Sequence, residues 1–293
     1  MDAPSSSARE APKLTVVIPA RNEETAIAGV IEEMAAALRG AGRFEPFEMF
    51  VVDDGSTDST GETAHRAGAT VLRNDTPGGY GAALKLGIRS GRAPYVCFVD
   101  ADHTYPVGEL PSMLVALEDG ADQIIGARAA AIPLLRRMVK ALVTRFAAFL
   151  ARHPIPDLNS GLRCVRRARI VPILAQFPDG FSFTTTLTIA GLLLGWDVRW
   201  HPIAYRARTG TSKFRPVRDT LRLLVCLIRA VVRFKPLRVV SLTGRALALA
   251  ILLGCLWGLL TGPRAGGALI SMLVFGLAVL VLTFVVEGVR RSA

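Results

Sequence analysis

From Leu14 onward the chain alternates two hydrophobic rhythms. Short apolar runs recur as LTVVI (14–18), MFVVD (49–53), ATVL (69–72), YVCFVD (95–100) and DQII (122–125). Between them lie longer stretches such as EETAIAGVIEEMAAALRG, whose apolar positions return every three or four residues. The runs predict buried strands and the stretches predict helices. Apolar strands separated by helices predict an α/β domain, a mostly parallel sheet flanked by helices on both faces. Ligands of such sheets gather beyond the carboxyl ends of the strands, so chemistry is expected directly after each apolar run.

The last fifth of the chain has a different pattern. Residues 239–260 and 265–286 are apolar on all sides, with Arg245 the only charge. Each is about 22 residues, roughly 33 Å of helix, which suits a membrane span. The short link 261–264 makes them a transmembrane hairpin over 239–287, with a tail at 288–293. Nearly all Lys and Arg lie on the side of its outer ends, while the tip holds only Arg264. The positive-inside rule then predicts a multi-pass protein of the inner (cytoplasmic) membrane, with the catalytic domain and both termini in the cytoplasm. Gly254 and Gly258 form a G-x-x-x-G that packs the hairpin or joins copies into a homo-oligomer, up to a tetramer.

Two further segments, Leu134–His153 and Pro216–Lys235, set Arg and Lys beside an apolar stripe and are expected to lie in the membrane interface, in contact with lipid. Residues 1–12 are small and polar with no apolar stretch, which predicts a disordered tail and not a signal peptide. The division is therefore 1–12 tail, 13–215 catalytic domain containing the amphipathic helix 134–153, 216–238 juxtamembrane helix, then hairpin and tail.

Charge changes the picture in one respect. A net charge of +11 on a chain that is 51% hydrophobic points to an anionic membrane or an anionic substrate. No zinc-finger spacing, aromatic RNA-binding motif or basic zipper accompanies it, so no nucleic-acid partner is expected. Cys97, Cys164, Cys226 and Cys255 lie far apart in sequence and predict reduced thiols. His65, His103, His153 and His201 show no metal-ligand spacing and are read as structural.

The sharpest chemical signal is Asp100-Ala101-Asp102, at the end of an apolar run. Residues i and i+2 of an extended segment face the same way, so two carboxylates can share one hard cation bridging to a diphosphate. A buried strand end is a costly place for an unpartnered carboxylate. In VVDDGSTDST (51–60), Asp53 and Asp54 close another strand, and Ser56, Thr57 or Asp58 can cap the following helix. A carboxylate there could also accept from the N–H of a base. In VVIPARNEE (16–24) a turn follows the first strand directly.

IPARNEE, VVDDGSTDST and DAD, in this order and spacing, resemble the family-2 inverting glycosyltransferases of the GT-A fold. The resemblance implies Pro19, Ala20, Glu23 and Asp53 around the nucleoside, and Asp100 and Asp102 on Mg²⁺ or Mn²⁺ at the diphosphate of a UDP- or GDP-sugar. TPGGYGAALKLG (76–87) fits as the glycine-rich turn and helix before the metal strand, and lacks the spacing of a dinucleotide fingerprint. IPDLNSGLRCVRR (155–167), DGFSFTTTLTIAGLLLGW (179–196) and YRARTGTSKFRPVRDTL (205–221) are similar to the polyprenyl-phosphate branch, which includes dolichyl-phosphate mannose synthases and undecaprenyl-phosphate glycosyltransferases. That similarity spans residues 13–238. It implies that Asp157, Asn159, Ser160 and Arg163 line the reaction centre, and that Arg208, Ser212 and Lys213 meet the phosphate of a polyprenyl phosphate acceptor. The chain departs from the pattern at Thr104, where many mannose synthases have Gln, and at Tyr80, where relatives often have a basic residue.

A lipid phosphate has a second pKa near ~6 and arrives largely dianionic, so the reaction needs little general base. It needs two anions neutralised and aligned. Asp102, Asp157 and Arg163 are the expected catalytic residues. Arg163, Arg208 and Lys213 are expected on the acceptor, Arg128 on the diphosphate, and Asp157 as a positioning group or a base. Two other readings are a processive polysaccharide synthase and an inactive membrane scaffold. Against the first, Trp196–Trp200 keeps Arg-Trp but lacks the Gln of the synthase motif; against the second stands the intact D-x-D.

Overall fold

The computed structural model describes residues 10–74, 76–128, 134–206, 216–241, 243–245 and 276. Residues up to Leu223 form one compact unit and those from Leu224 a second.

In the first unit, β1 (Leu14–Ala20), α1 (Glu24–Ala41), β2 (Phe47–Asp53), α2 (Thr60–Arg66), β3 (Thr70–Arg73), α3 (Tyr80–Ser90), β4 (Tyr95–Phe98), α4 (Leu110–Glu118) and β5 (Gln123–Arg128) alternate as expected. Then come α5 (Leu134–Ala151), β6 (Arg163–Arg166), the short α6 (Arg167–Ile170), α7 (Phe183–Leu193) and β7 (Val198–Ile203), while α8 (Pro216–Phe234) begins in this unit. The seven strands form one sheet in the order β3-β2-β1-β4-β6-β5-β7. Every residue of β1 is buried, which accounts for its unbroken apolar run. On α1, Ile27, Val30, Ile31, Met34 and Leu38 recur at helical spacing and pack into the core. That helix ends at Gly42, whose φ of 62° lets its N–H reach back to Leu38 and Arg39.

One strand runs against the others. β6 is antiparallel to both β4 and β5. Its beginning therefore lies beside the end of β4, with Arg163 opposite Phe98. This reversal brings the segment before β6, residues 157–162, to the same sheet edge as Asp100. The same register sets Cys97 opposite Cys164, both buried. The two thiols are neighbours despite their distance in sequence, and burial, with Cys164 adding to it, pushes the Cys97 thiol well above its usual range.

The expected strand 95–100 stops at Phe98, and Ala101 and Asp102 form a turn. Asp100 and Asp102 are thus related by a turn, and the alternation of an extended strand does not set their directions.

On α5, Val143, Ala147 and Leu150 face inward, while Leu142 and Phe149 are 67% and 62% exposed. Arg145 and Arg152 flank them on the outer side. Among the described residues no helix is long and apolar enough to cross a membrane. The expected spans 239–260 and 265–286 fall almost wholly outside the described residues, as do residues 1–9 of the tail, Gly254, Gly258, Arg208, Ser212 and Lys213.

Candidate active site

The site begins where β1 and β2 end, in loops laced together by side chains. Asn22 N–H donates to Ser56 Oγ at 3.0 Å, and Glu23 N–H to Thr60 Oγ1 at 2.9 Å. In return, Thr57 N–H donates to Asn22 Oδ1 at 2.8 Å and Ser59 N–H to Glu24 Oε2 at 3.2 Å. By sequence Ser56, Thr57 or Asp58 could cap α2; Ser59 stands at its N-cap without a side-chain cap bond, and Asp58 Oδ1 accepts from Thr60 N–H at 3.1 Å. Ser56 and Thr57 instead hold the loop after β1.

Pro19 and Ala20 close β1 and are buried, and Glu23 is half-buried at the entrance to α1. Asp53 and Asp54 are both buried and serve different loops. Asp53 Oδ1 accepts from Ser56 N–H at 2.9 Å. Asp54 accepts from Gly78 N–H and Gly79 N–H, each at 2.8 Å, and from Asn74 Nδ2 at 3.0 Å. It therefore anchors the glycine-rich turn, a role its sequence position does not announce. The glycines there serve close packing. A Cβ on Gly81 would stand 2.2 Å from the Pro178 carbonyl oxygen. The Asp179 carbonyl accepts from Gly81 N–H at 2.6 Å and Ala82 N–H at 3.0 Å, so protein fills the start of α3.

Asp100 lies between two elements. Tyr80 Oη donates to its Oδ1 at 2.8 Å, and a Cβ on Gly161 would fall 2.4 Å from its Oδ2. Only glycine at 161 leaves room for that carboxylate. The Tyr80 ring stacks on Phe181, which is 86% exposed, with centroids 5.7 Å apart. Burial first, and then Asp100, pushes the Tyr80 phenol well above its usual range, so it is a permanent donor. Asp102 has a matching arrangement. Its Oδ1 accepts from Thr104 Oγ1 at 2.6 Å and Thr104 N–H at 3.2 Å. Thr104, 1% exposed, orients Asp102 from behind, and this is its service at the position where many mannose synthases have Gln.

No group of three or more His, Cys, Asp or Glu that could hold a metal occurs among the described residues. Two half-buried carboxylates, each steadied by a hydroxyl, would suit a hard cation able to take further oxygen ligands.

The segment before β6 holds a buried ion pair. Arg128 Nε donates to Asp157 Oδ2 at 2.7 Å and Nη2 to Oδ1 at 2.9 Å, a bidentate grip, while Arg128 N–H reaches Oδ2 at 3.2 Å. Asp157 is 1% exposed. Nη2 also donates to Asn159 Oδ1 at 2.9 Å, and the guanidinium lies 5.5 Å from the centre of the Tyr205 ring. Burial pulls the Arg128 guanidinium down, but its bonds to Asp157, with Tyr105 nearby, hold it above its usual range. Trp200 Nε1 donates to the Asp157 carbonyl at 2.9 Å, and Tyr105 Oη accepts from Gly161 N–H at 2.7 Å. The expectation that Arg128 grips a diphosphate is revised by this geometry, because Nε and Nη2 are committed to Asp157 and Asn159, and Nη1 lies 3.5 Å from Tyr105 Oη. Asp157, fully engaged with cationic and amide donors, is poorly placed to take a proton.

A second correction concerns Arg163 and Ser160. Both are 0% exposed. Arg163 Nε donates to the Ser160 carbonyl at 2.7 Å, Nη2 to the Leu158 carbonyl at 3.0 Å and Nη1 to Thr188 Oγ1 at 2.7 Å. Burial pushes the guanidinium down to about 10, so it stays charged at neutral pH. It is a post around which the 157–160 loop is wound, and it does not face an acceptor. Of this expected group only Asn159 is exposed.

The chain matches the family model described as "Glycosyl transferase family 2" over residues 15–171. Dolichyl-phosphate hexose transferase of Haloferax volcanii is 32% identical over 207 residues, covering 69% of this chain and 87% of that protein. Undecaprenyl-phosphate 4-deoxy-4-formamido-L-arabinose transferase of Pseudomonas paraeruginosa is 30% identical over 275 residues, covering 87% of this chain and 75% of its own. Among solved structures, glucosyl-3-phosphoglycerate synthase of Mycobacterium tuberculosis, in complex with Mn²⁺, UDP and phosphoglyceric acid, superposes with a TM-score of 0.59 at 21% identity, covering 75% of this chain and 78% of that one. That likeness is one of fold.

Proposed function

This chain belongs to glycosyl transferase family 2, and we propose that it transfers a sugar from a UDP- or GDP-sugar to a polyprenyl phosphate, with inversion. The names of its relatives from Haloferax and Pseudomonas support the acceptor class. The observation that carries the reading is the Arg128–Asp157 pair. Asp157 is held by both of its oxygens and is 1% exposed. Such a carboxylate suits an acceptor that brings its own anionic nucleophile, as a phosphate monoester does, since its second pKa is near ~6.

Asp100 and Asp102 would hold Mg²⁺ or Mn²⁺, which supplies positive charge to the departing diphosphate. Pro19, Ala20, Glu23 and Asp53 would border the nucleoside. Arg128 keeps the 157–159 segment in place and presents Asn159 toward the reacting groups. Arg208, Ser212 and Lys213 would neutralise the incoming lipid phosphate, with Arg preferred for its bidentate fork.

We place the enzyme at the cytoplasmic face of the inner membrane as a multi-pass protein. Supporting this are the apolar runs 239–260 and 265–286 and the exposed Leu142 and Phe149, which alternate with Arg145 and Arg152 along α5 and just beyond it. On α8, Leu221, Val225 and Ile228 are likewise exposed among Arg222 and Arg229.

Two experiments test these readings. Purified protein is incubated with undecaprenyl phosphate, Mn²⁺ or Mg²⁺ and a panel of UDP- and GDP-sugars, and the lipid is weighed. A mass gain of one sugar supports the function, and free sugar with unaltered lipid rejects it. A cysteine placed at Arg264 should react with an impermeant thiol reagent from outside intact cells; labelling only after lysis rejects the orientation.

A further inference from the structure

The turn that carries Asp102 contains an unusual backbone. His103 has φ of 59°, in the left-handed region that side chains other than glycine rarely occupy. Such a residue persists where its surroundings over-determine it. Here the surroundings are two positions one helical turn apart on α1. Gly29 leaves the space, since a Cβ there would meet the His103 ring at 3.2 Å. Glu33 provides the partner, its Oε2 lying 2.7 Å from His103 Nε2. The i, i+4 spacing puts both on one face of the helix.

Glu33 is fixed in turn. Arg206 Nη1 and Nη2 donate to its two oxygens, each at 2.9 Å, and Arg206 N–H donates to the Thr104 carbonyl at 2.9 Å. His103 thus stands between Asp102 and Thr104, the two residues whose mutual bond aims the carboxylate. The cluster is partly solvated, with side chains 30–46% exposed. Pairs of that kind contribute little to global stability.

We propose that Glu33 is a positioning residue for metal binding: seated with Gly29 against His103, it holds the Asp102–Thr104 turn in its left-handed shape. The proposal rests on the reading of Asp100 and Asp102 as the metal pair, and it concerns the support of that pair. The orienting partners of metal ligands typically govern affinity by about tenfold or more.

The test is Mn²⁺ binding to the full-length protein in detergent, by isothermal titration, with UDP or GDP present, whichever supports binding to the wild type. Glu33→Ala should raise the Mn²⁺ dissociation constant about tenfold with a melting temperature close to wild type. Glu33→Ala combined with His103→Gly should recover most of that loss, because glycine adopts the left-handed turn without support. Three results overturn the proposal: wild-type affinity in Glu33→Ala, a loss that His103→Gly does not recover, or unfolding of Glu33→Ala, which would make the residue a determinant of the fold. A wild-type protein that takes up no Mn²⁺ with either UDP or GDP overturns the metal reading itself, and the wild-type titration separates that case from the others.

Discussion

Tyr80 Oη lies 2.8 Å from Asp100 Oδ1 and donates to it, so the first helical residue after the glycine-rich turn orients the first carboxylate of the proposed metal pair. Thr104 does the same for Asp102 at 2.6 Å. Tyr80→Phe and Thr104→Val each delete one hydroxyl and keep the shape. Each should raise the Mn²⁺ concentration for half-maximal activity by about tenfold, with a smaller effect on turnover at saturating metal. A metal titration of initial rates checks this, and an unchanged half-saturation point would remove the hydroxyls from the account.

Asp102→Asn should leave the fold intact and lower kcat by at least about a hundredfold, the scale of lost leaving-group stabilisation. EDTA should silence the wild type, with Mg²⁺ or Mn²⁺ restoring it. Undiminished turnover in EDTA would exclude the metal.

The acceptor, and not Asp157, should set the acidic limb of the pH profile. Rate on a polyprenyl phosphate should rise with pH through about 6, as the phosphate loses its second proton, and then level off. Asp157→Asn should leave the position of that limb unchanged. It should cost stability of roughly 3 kcal/mol, because Arg128 would keep its buried charge without a counter-ion. A limb that vanishes in Asp157→Asn would restore that carboxylate as the base.

Arg163 should be a residue of the fold. Arg163→Met leaves two carbonyls and Thr188 short of donors and should cost about 3 kcal/mol or more, a fall in Tm of roughly 6–12 °C. Arg163→Lys should lose nearly as much, since an ammonium cannot span three separated acceptors. Thermal unfolding of the purified variants decides it. A lysine variant that melts with the wild type but fails on the acceptor would return Arg163 to the phosphate.

β1, β4 and the end of β2 were legible because they are buried, which leaves apolar runs in the sequence, while β3, at the sheet edge, is partly exposed. Asp100 and Asp102 stood out because carboxylates at the end of an apolar run are rare without a task, and the task proposed for them is a metal. β6 was not legible, since its four residues, RCVR, begin and end with Arg and give no apolar run. A charged residue defaults to the surface in any reading of composition, and Arg163 defies that default. A hint lay in α7, where Thr184, Thr185, Thr186 and Thr188 are all buried. That much hydroxyl inside a core asks for a polar partner, and Arg163 is one. Glu33 left no trace, because its partners are 70 and 173 positions away and its own helix would form equally well without them.

The laced loops after β1 and β2 have a consequence for how this end of the sheet opens. Amide hydrogens in solvated loops ordinarily exchange with water one by one, each at its own pace. Those of Asn22, Glu23, Thr57 and Ser59 are bonded across the gap to side chains of the facing loop. To expose one, both loops must part, and all four are then exposed together. They form a single exchanging group, slower than their surface position suggests. This rim thus behaves like a buckle, fastened or undone as a whole.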